Sequence, residues 1–234
     1  MCLIIFSYDM HPLYRLILAA NRDEYYNRPT APLSFWDDEP GILAGRDLKG
    51  NGTWLGVTRT GRIAAITNFR ETGFQIENAP SRGHLISNFL VSKESPKTYM
   101  EHVKSMGHKF NGFNLFIGDR SELFYYSNRK NHIEKLKPGL YGVSNRFLNT
   151  PWPKVTKAKT GLKKLIDNTS KESWPRRRPR GALPRREDQA LVVPRGDLVC
   201  RHLTIYGVLE YWSNGRNFFF ITLRKYIPGK NLKV

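Results

Sequence analysis

By residue type, the strongest nucleophiles in the chain are its two cysteines, Cys2 and Cys200. Cys2 directly follows Met1, and aminopeptidases remove a leading methionine when the next residue is small. The Cys2 thiol would then stand beside the chain's own α-amino group, whose unperturbed pKa of about 7.7–8.0 lies just below the roughly 8.5 of a thiol. One residue would thus supply both nucleophile and base, as in terminal-threonine enzymes. By position alone, the ordinary reading of Cys2 is a small apolar residue at the start of a strand.

Metal chemistry has little support. Neither cysteine belongs to a Cys-x-x-Cys pair, and His11, His84, His102, His108, His132 and His202 are scattered without ligand spacing, so no metal site is expected. The glycine-rich runs Gly45-Arg46-Asp47 and Gly50-Asn51-Gly52 are followed by no Gly-Lys-Ser/Thr and open no helix, which leaves a turn before a strand.

These residues need elements to position them. Cys2–Tyr8 and Tyr14–Ala20 are rich in Leu, Ile and Tyr around the turn Asp9-Met10-His11-Pro12, which predicts a hairpin buried on both faces. Its far end carries Asn21-Arg22-Asp23-Glu24 back towards the level of Cys2. A stretch with Pro29, Pro32, Pro40 and Gly41 reads as loop, and Thr53–Thr58 and Arg62–Phe69 as a second hairpin. Ser81 is the expected cap of a helix through Val91, and Ser95-Pro96 opens another that ends near Gly107. Strands are expected over Asn114–Gly118, Leu123–Ser127, His132–Leu136 and Leu140–Ser144, then a basic amphipathic helix over Trp152–Ile166. This succession favours an antiparallel α+β layered domain.

With the elements in place, several motifs in order resemble the NRDE, or transport and Golgi organization protein 2, family. They are Met1-Cys2-Leu3-Ile4-Ile5-Phe6, Leu16 to Glu24, Ala44-Gly45-Arg46-Asp47, Gly52-Thr53-Trp54-Leu55-Gly56-Val57, Asn111-Gly112-Phe113-Asn114-Leu115 and Tyr141-Gly142-Val143-Ser144-Asn145. The resemblance runs from Met1 to about Lys164. It implies a four-layer αββα sandwich of the N-terminal-nucleophile type, related to cysteine amidohydrolases. In that superfamily's terms, Cys2 is the nucleophile, Asp23 holds the new α-amine, Arg22 sits beside the thiolate, and Asn68 and Asn145 take the oxyanion side. Asn21, Arg46, Asp47 and Arg82 are the expected substrate-side residues, with Arg82 facing an anionic group. The order Asn21-Arg22 differs from the acylase pattern. Asn at a strand end is also ordinary turn chemistry.

The domain with these motifs is expected to span residues 1–168. Residues 169–202 form an atypical segment in which Trp174 to Arg186 is loaded with Pro and Arg and reads as disordered. Residues 203–234 carry residual strand patterning over Leu203–Leu209 and Phe218–Tyr226, so the carboxy-terminal strands of the sandwich are expected to be incomplete. The family's Tyr-Gly-Thr-Arg is here Tyr206-Gly207-Val208-Leu209, without the Arg. A changed reading frame between about Ser170 and Tyr206 would account for both departures.

Charge and composition narrow the function. Residues 1–168 carry 24 Lys/Arg against 15 Asp/Glu and the last 66 carry 14 against 5, so the tail holds half of the net charge of +18. Without interleaved aromatics or a recognisable module, that run predicts non-specific attraction to anions and no specific nucleic-acid partner. No stretch approaches the ~18 apolar residues of a membrane span, which makes a cytoplasmic protein with free thiols the default. The expected function is a cysteine amidohydrolase-like enzyme acting on a small amide. The alternative is a non-catalytic protein that binds an acyl or haem-like ligand and is linked to secretion and Golgi organisation. No cofactor is expected, and haem enters only as a ligand that the resemblance suggests.

Overall fold

The computed structural model describes residues 2–22, 28–169, 191–192, 199–200, 203–213 and 216–224. The chain opens with β1 (Leu3–Tyr8) and β2 (Tyr14–Arg22), a hairpin paired from Leu3↔Asn21 to Tyr8↔Leu16. Because side chains alternate along a strand, Ile4, Phe6, Tyr8, Leu16, Leu18 and Ala20 enter one apolar cluster, and Leu3, Ile5, Ile17 and Ala19 enter another. That double burial is why both strands read as continuous apolar runs.

β3 (Thr30–Phe35) and β4 (Ile42–Asp47) occupy the stretch expected as loop. The prolines misled that expectation. Pro32 falls where the β3–β4 register shifts between Ala31 and Ser34, and β3 is the outermost strand of its sheet, so a residue with no N–H is tolerated there. β5 (Leu55–Thr58) and β6 (Ile63–Asn68) form the second hairpin.

Two helices follow. α1 (Gly83–Val91) starts from Arg82 with no side-chain cap, so Ser81 does not cap it. α2 (Pro96–Met106) is capped by Ser95, whose hydroxyl accepts the Thr98 N–H. The chain continues through β7 (Phe113–Gly118), β8 (Leu123–Ser127), β9 (His132–Lys135), β10 (Gly139–Val143) and α3 (Pro153–Thr169). The described carboxy-terminal pieces are β11 (Leu191–Val192), β12 (Val199–Cys200), β13 (Leu203–Ser213) and β14 (Arg216–Arg224). The remainder of the Pro/Arg-rich segment lies outside the described residues.

Two antiparallel sheets result. One has the order β10-β1-β2-β14-β13-β11, with β12 pairing beside β13, and the other runs β3 to β9 in chain order. The sheets face each other across a core that includes Phe6, Leu18, Leu55, Val57, Phe116 and Tyr125. α1 and α2 cover the outer face of the second sheet through Ile86, Phe89, Met100 and Val103. α3 covers the outer face of the first through Leu162 and Ile166. The layer order is therefore αββα, as the resemblance implied. Each fully buried large side chain contributes about 1.5–3 kcal/mol, and three apolar interlayers of this size need no disulfide or metal.

Candidate active site

At one end of the sandwich, the start of β1 and the end of β2 meet β4, β6 and the amino end of α1 around a cavity of about 290 Å³. Cys2 and Arg22 both line it. The hairpin register explains why. One step beyond the Leu3↔Asn21 pair, Cys2 and Arg22 come to the same level, on the side of the strands that faces the second sheet. The Cys2 carbonyl accepts a hydrogen bond from the Ser144 hydroxyl at 2.6 Å, and the residue as a whole is half-buried.

Opposite stands Asp47, from the end of β4. Its Oδ2 lies 2.7 Å from the Arg28 guanidinium and 3.9 Å from that of Arg22, while Oδ1 accepts the backbone N–H groups of Lys49 and Gly50. Burial by itself would raise the Asp47 carboxyl. The Arg28 hydrogen bond and the two backbone donors outweigh it and hold the group below the usual carboxylate value. Asp47 is thus a fixed anion that anchors two arginines at the cavity wall.

The other expected residues divide. Asn68, the last residue of β6, and Arg82, the residue before α1, line the cavity. One Arg82 nitrogen donates to the Gly112 carbonyl at 2.9 Å. Arg46 borders the cavity as well, but its guanidinium forms a two-point pair with Asp38 at 2.7 Å and lies 4.3 Å over the Trp36 ring. That engagement draws its charge towards Asp38. Asn21 follows Ile17 and Ala19 in alternation and so belongs to the α3 side of its sheet, not the cavity side. Asn145 is not among the lining residues. Its side-chain amide donates to the Asn68 backbone carbonyl at 3.2 Å, which places it behind Asn68. Asp23 lies outside the described residues.

Arg28 and Asn111 are among the lining residues that the sequence motifs did not place in the site. Arg28 precedes β3, and only the Thr30↔Asp47 pairing brings it to Asp47. Asn111 binds both backbone groups of Ile76, accepting its N–H at 2.8 Å and donating to its carbonyl at 3.2 Å, and so holds the segment leading to Ala79 and Pro80 along the wall. Its place in the Asn111-Gly112-Phe113 motif was the available signal. Among the described residues, no cluster of His, Cys, Asp or Glu could hold a metal ion.

A profile of the transport and Golgi organisation 2 family matches residues 1–190. The chain belongs to this family. The mouse Transport and Golgi organization 2 homolog is 43% identical over 168 residues, which cover 66% of this chain and 60% of the mouse protein. The Drosophila melanogaster Transport and Golgi organization protein 2 is 28% identical over 186 residues, 71% of this chain and 65% of that protein. The chain therefore spans less than two thirds of the length of these relatives. Among solved structures, a Caenorhabditis elegans N-acylethanolamine-hydrolyzing acid amidase ortholog superposes with a TM-score of 0.49 at 14% identity, covering 70% of this chain and 79% of that one. Of the described helices in this family member, none is long and apolar enough to cross a membrane.

Proposed function

We propose that this family member is a cysteine amidohydrolase-like enzyme that cleaves a small amide through Cys2. The observation that carries the reading is the shared cavity wall of Cys2, Arg22 and Asn68. With Met1 removed, the α-amine takes the thiol proton, and the Arg22 cation favours the thiolate by charge. The sulfur attacks the amide carbon. The resulting oxyanion faces the Asn68 amide, a donor of a kind that contributes about 3–4 kcal/mol in comparable sites. The C–N bond breaks as the leaving amine takes the proton from the α-ammonium, and water then hydrolyses the thioester, returning the thiol. Arg82 receives an anionic group of the substrate.

A burst of acyl-enzyme with a panel of acyl amides, read as a mass shift on the Cys2 peptide, is the expected result. A protein that retains Met1 when purified from its host overturns the reading.

A second reading is supported by the missing Arg after Tyr206-Gly207. In it, the same cavity binds and hands on an acyl or haem-like ligand without chemistry, in keeping with the names of the relatives. Cys2 is the only described lining residue of a type that serves as an axial haem ligand. A saturable spectral shift on haem titration, lost in Cys2→Ala, would favour this second reading, and no shift in either protein would end the haem version of it.

A further inference from the structure

We infer that Ser144 and Asn145 are positioning residues, a two-residue clip that sets Cys2 on one sheet against Asn68 on the other; this rests on the nucleophile reading of Cys2. The β1–β10 ladder pairs Ile4 with Val143, and β10 ends there. Two residues on, Asn145 has φ +54°, a left-handed conformation that turns the chain away from β1. The Cys2 carbonyl at the very start of the ladder is met instead by a side chain, the Ser144 hydroxyl, at 2.6 Å. This bond stands where fraying is otherwise expected, because a chain end with few partners is seldom well ordered. Removal of Met1 makes Cys2 that end.

The next residue reaches the other sheet. Asn145 Nδ2 donates to the Asn68 carbonyl at 3.2 Å, and the Asn145 carbonyl accepts the Arg70 N–H at 2.8 Å. Its Oδ1 lies 3.3 Å from the Ser144 hydroxyl, whose single proton goes to the Cys2 carbonyl, so the two halves of the clip are joined through the backbone of adjacent residues. Ser144 is 2% exposed and Asn145 7%. Leaving polar groups this buried without their bonds costs free energy, so the pair favours one relative placement of Cys2 and Asn68. Asn114 steadies the following residue. It is fully buried, donates to the Arg146 carbonyl at 2.9 Å and accepts from the Tyr125 hydroxyl at 2.7 Å.

The test uses the full chain with Met1 removed, in four forms: wild type, Ser144→Ala, Ser144→Thr and Asn145→Gly. The glycine permits the left-handed turn and the Arg70 bond while deleting the amide. Two quantities are read, the pH profile of Cys2 alkylation by iodoacetamide, mapped by peptide, and amide hydrogen exchange over residues 3–6 and 66–70. In Ser144→Ala, exchange over residues 3–6 rises several-fold. Cys2 labelling near neutral pH slows about tenfold, its inflection moving towards the roughly 8.5 of a free thiol. Asn145→Gly gives the same slowing with faster exchange over residues 66–70, and Ser144→Thr stays near wild type. Unchanged exchange and labelling in both Ser144→Ala and Asn145→Gly overturn the clip and leave the nucleophile reading standing. Wild-type labelling no faster than a model peptide overturns the nucleophile reading and, with it, the clip's role in chemistry, even where exchange rises. Should Ser144→Ala fail to fold, Asn145→Gly decides alone.

Discussion

At the scale of single residues, charge is held in place by other residues more than it is placed by its own strand. Arg22 faces the cavity beside an Asp47 carboxylate whose other contacts are Arg28 and two backbone N–H groups. Asp47→Asn is expected to cost about 2 kcal/mol near neutral pH, since it weakens several charge-assisted bonds. The pH sign follows from the lowered carboxyl. Its stabilisation is present above the unfolded value near 3.9 and is lost as pH falls through the lower folded value. Urea unfolding between about pH 5 and pH 2 should therefore show a steeper acid loss in wild type than in Asp47→Asn. Cys2→Ser and Cys2→Ala are expected to keep the fold, within the ordinary 0.5–3 kcal/mol of point changes (roughly), while abolishing alkylation at residue 2. Peptide mapping separates this loss from any labelling of Cys200. The cavity positions of Cys2, Arg22 and Asp47 were legible from the family motifs that contain them, that of Asn68 from its likeness to the superfamily's oxyanion-side asparagine at a strand end, and that of Arg82 from its place at the start of a helix. The turning of the Arg46 guanidinium towards Asp38 was not, because it depends on a partner eight residues away across a bend.

Elements were legible where one pattern dominated. The β1–β2 and β5–β6 hairpins and α2 follow from apolar runs, turn residues and the Ser95-Pro96 cap. β3 and β4 were hidden because proline argues for loop unless the strand is known to be an edge, and edge position is a property of the whole sheet. α1 has no side-chain cap at its start and is instead anchored at its end by Arg62, the residue before β6. Arg62 donates to the Phe89 carbonyl at 3.0 Å and the Glu94 carbonyl at 2.9 Å, with the Ser92 hydroxyl at 3.2 Å. Arg62→Ala should lower stability by about 2 kcal/mol, and Arg62→Lys should recover little of it, because an ammonium cannot reproduce the planar fork. Thermal unfolding, with hydrogen exchange over residues 86–92, checks both. The start of α1 has a different constraint. A Cβ at Gly52 would lie 2.6 Å from the Gly83 carbonyl carbon, so Gly52→Ala must force the turn before β5 and the first turn of α1 apart.

For the whole molecule, the carboxy-terminal strands matter more than their composition suggests. β14 lies between β2 and β13 and pairs Asn217 with Arg22, so β2 is an interior strand only while β14 is present. A chain stopped after residue 202 would leave β2 as an open edge next to the site and is expected to aggregate or unfold on purification, which light scattering would detect. Alkaline behaviour is also a property of the assembled layers. Burial pushes Tyr99 and Tyr125 up to about 12. Because the folded chain holds these protons more tightly than the unfolded one, stability is full below about pH 10 and falls between about pH 10 and 12. Phenolate absorbance and denaturant midpoints measured across that window should change together.

The turn between β1 and β2 is remote from the cavity, yet it works as a ruler for it. His11 is almost wholly buried there, its Nδ1 accepting the N–H groups of Leu13 and Tyr14, which fixes how many residues the turn consumes. Side chains alternate with a period of two, so losing a single residue from this turn would carry Arg22 to the α3 side and bring Asn21 round in its place. At about 3.3 Å per residue, that error would be written some 20 Å away from where it was made. Insertions and deletions in residues 9–13 should thus be tolerated only in pairs, although nothing in that turn touches a substrate.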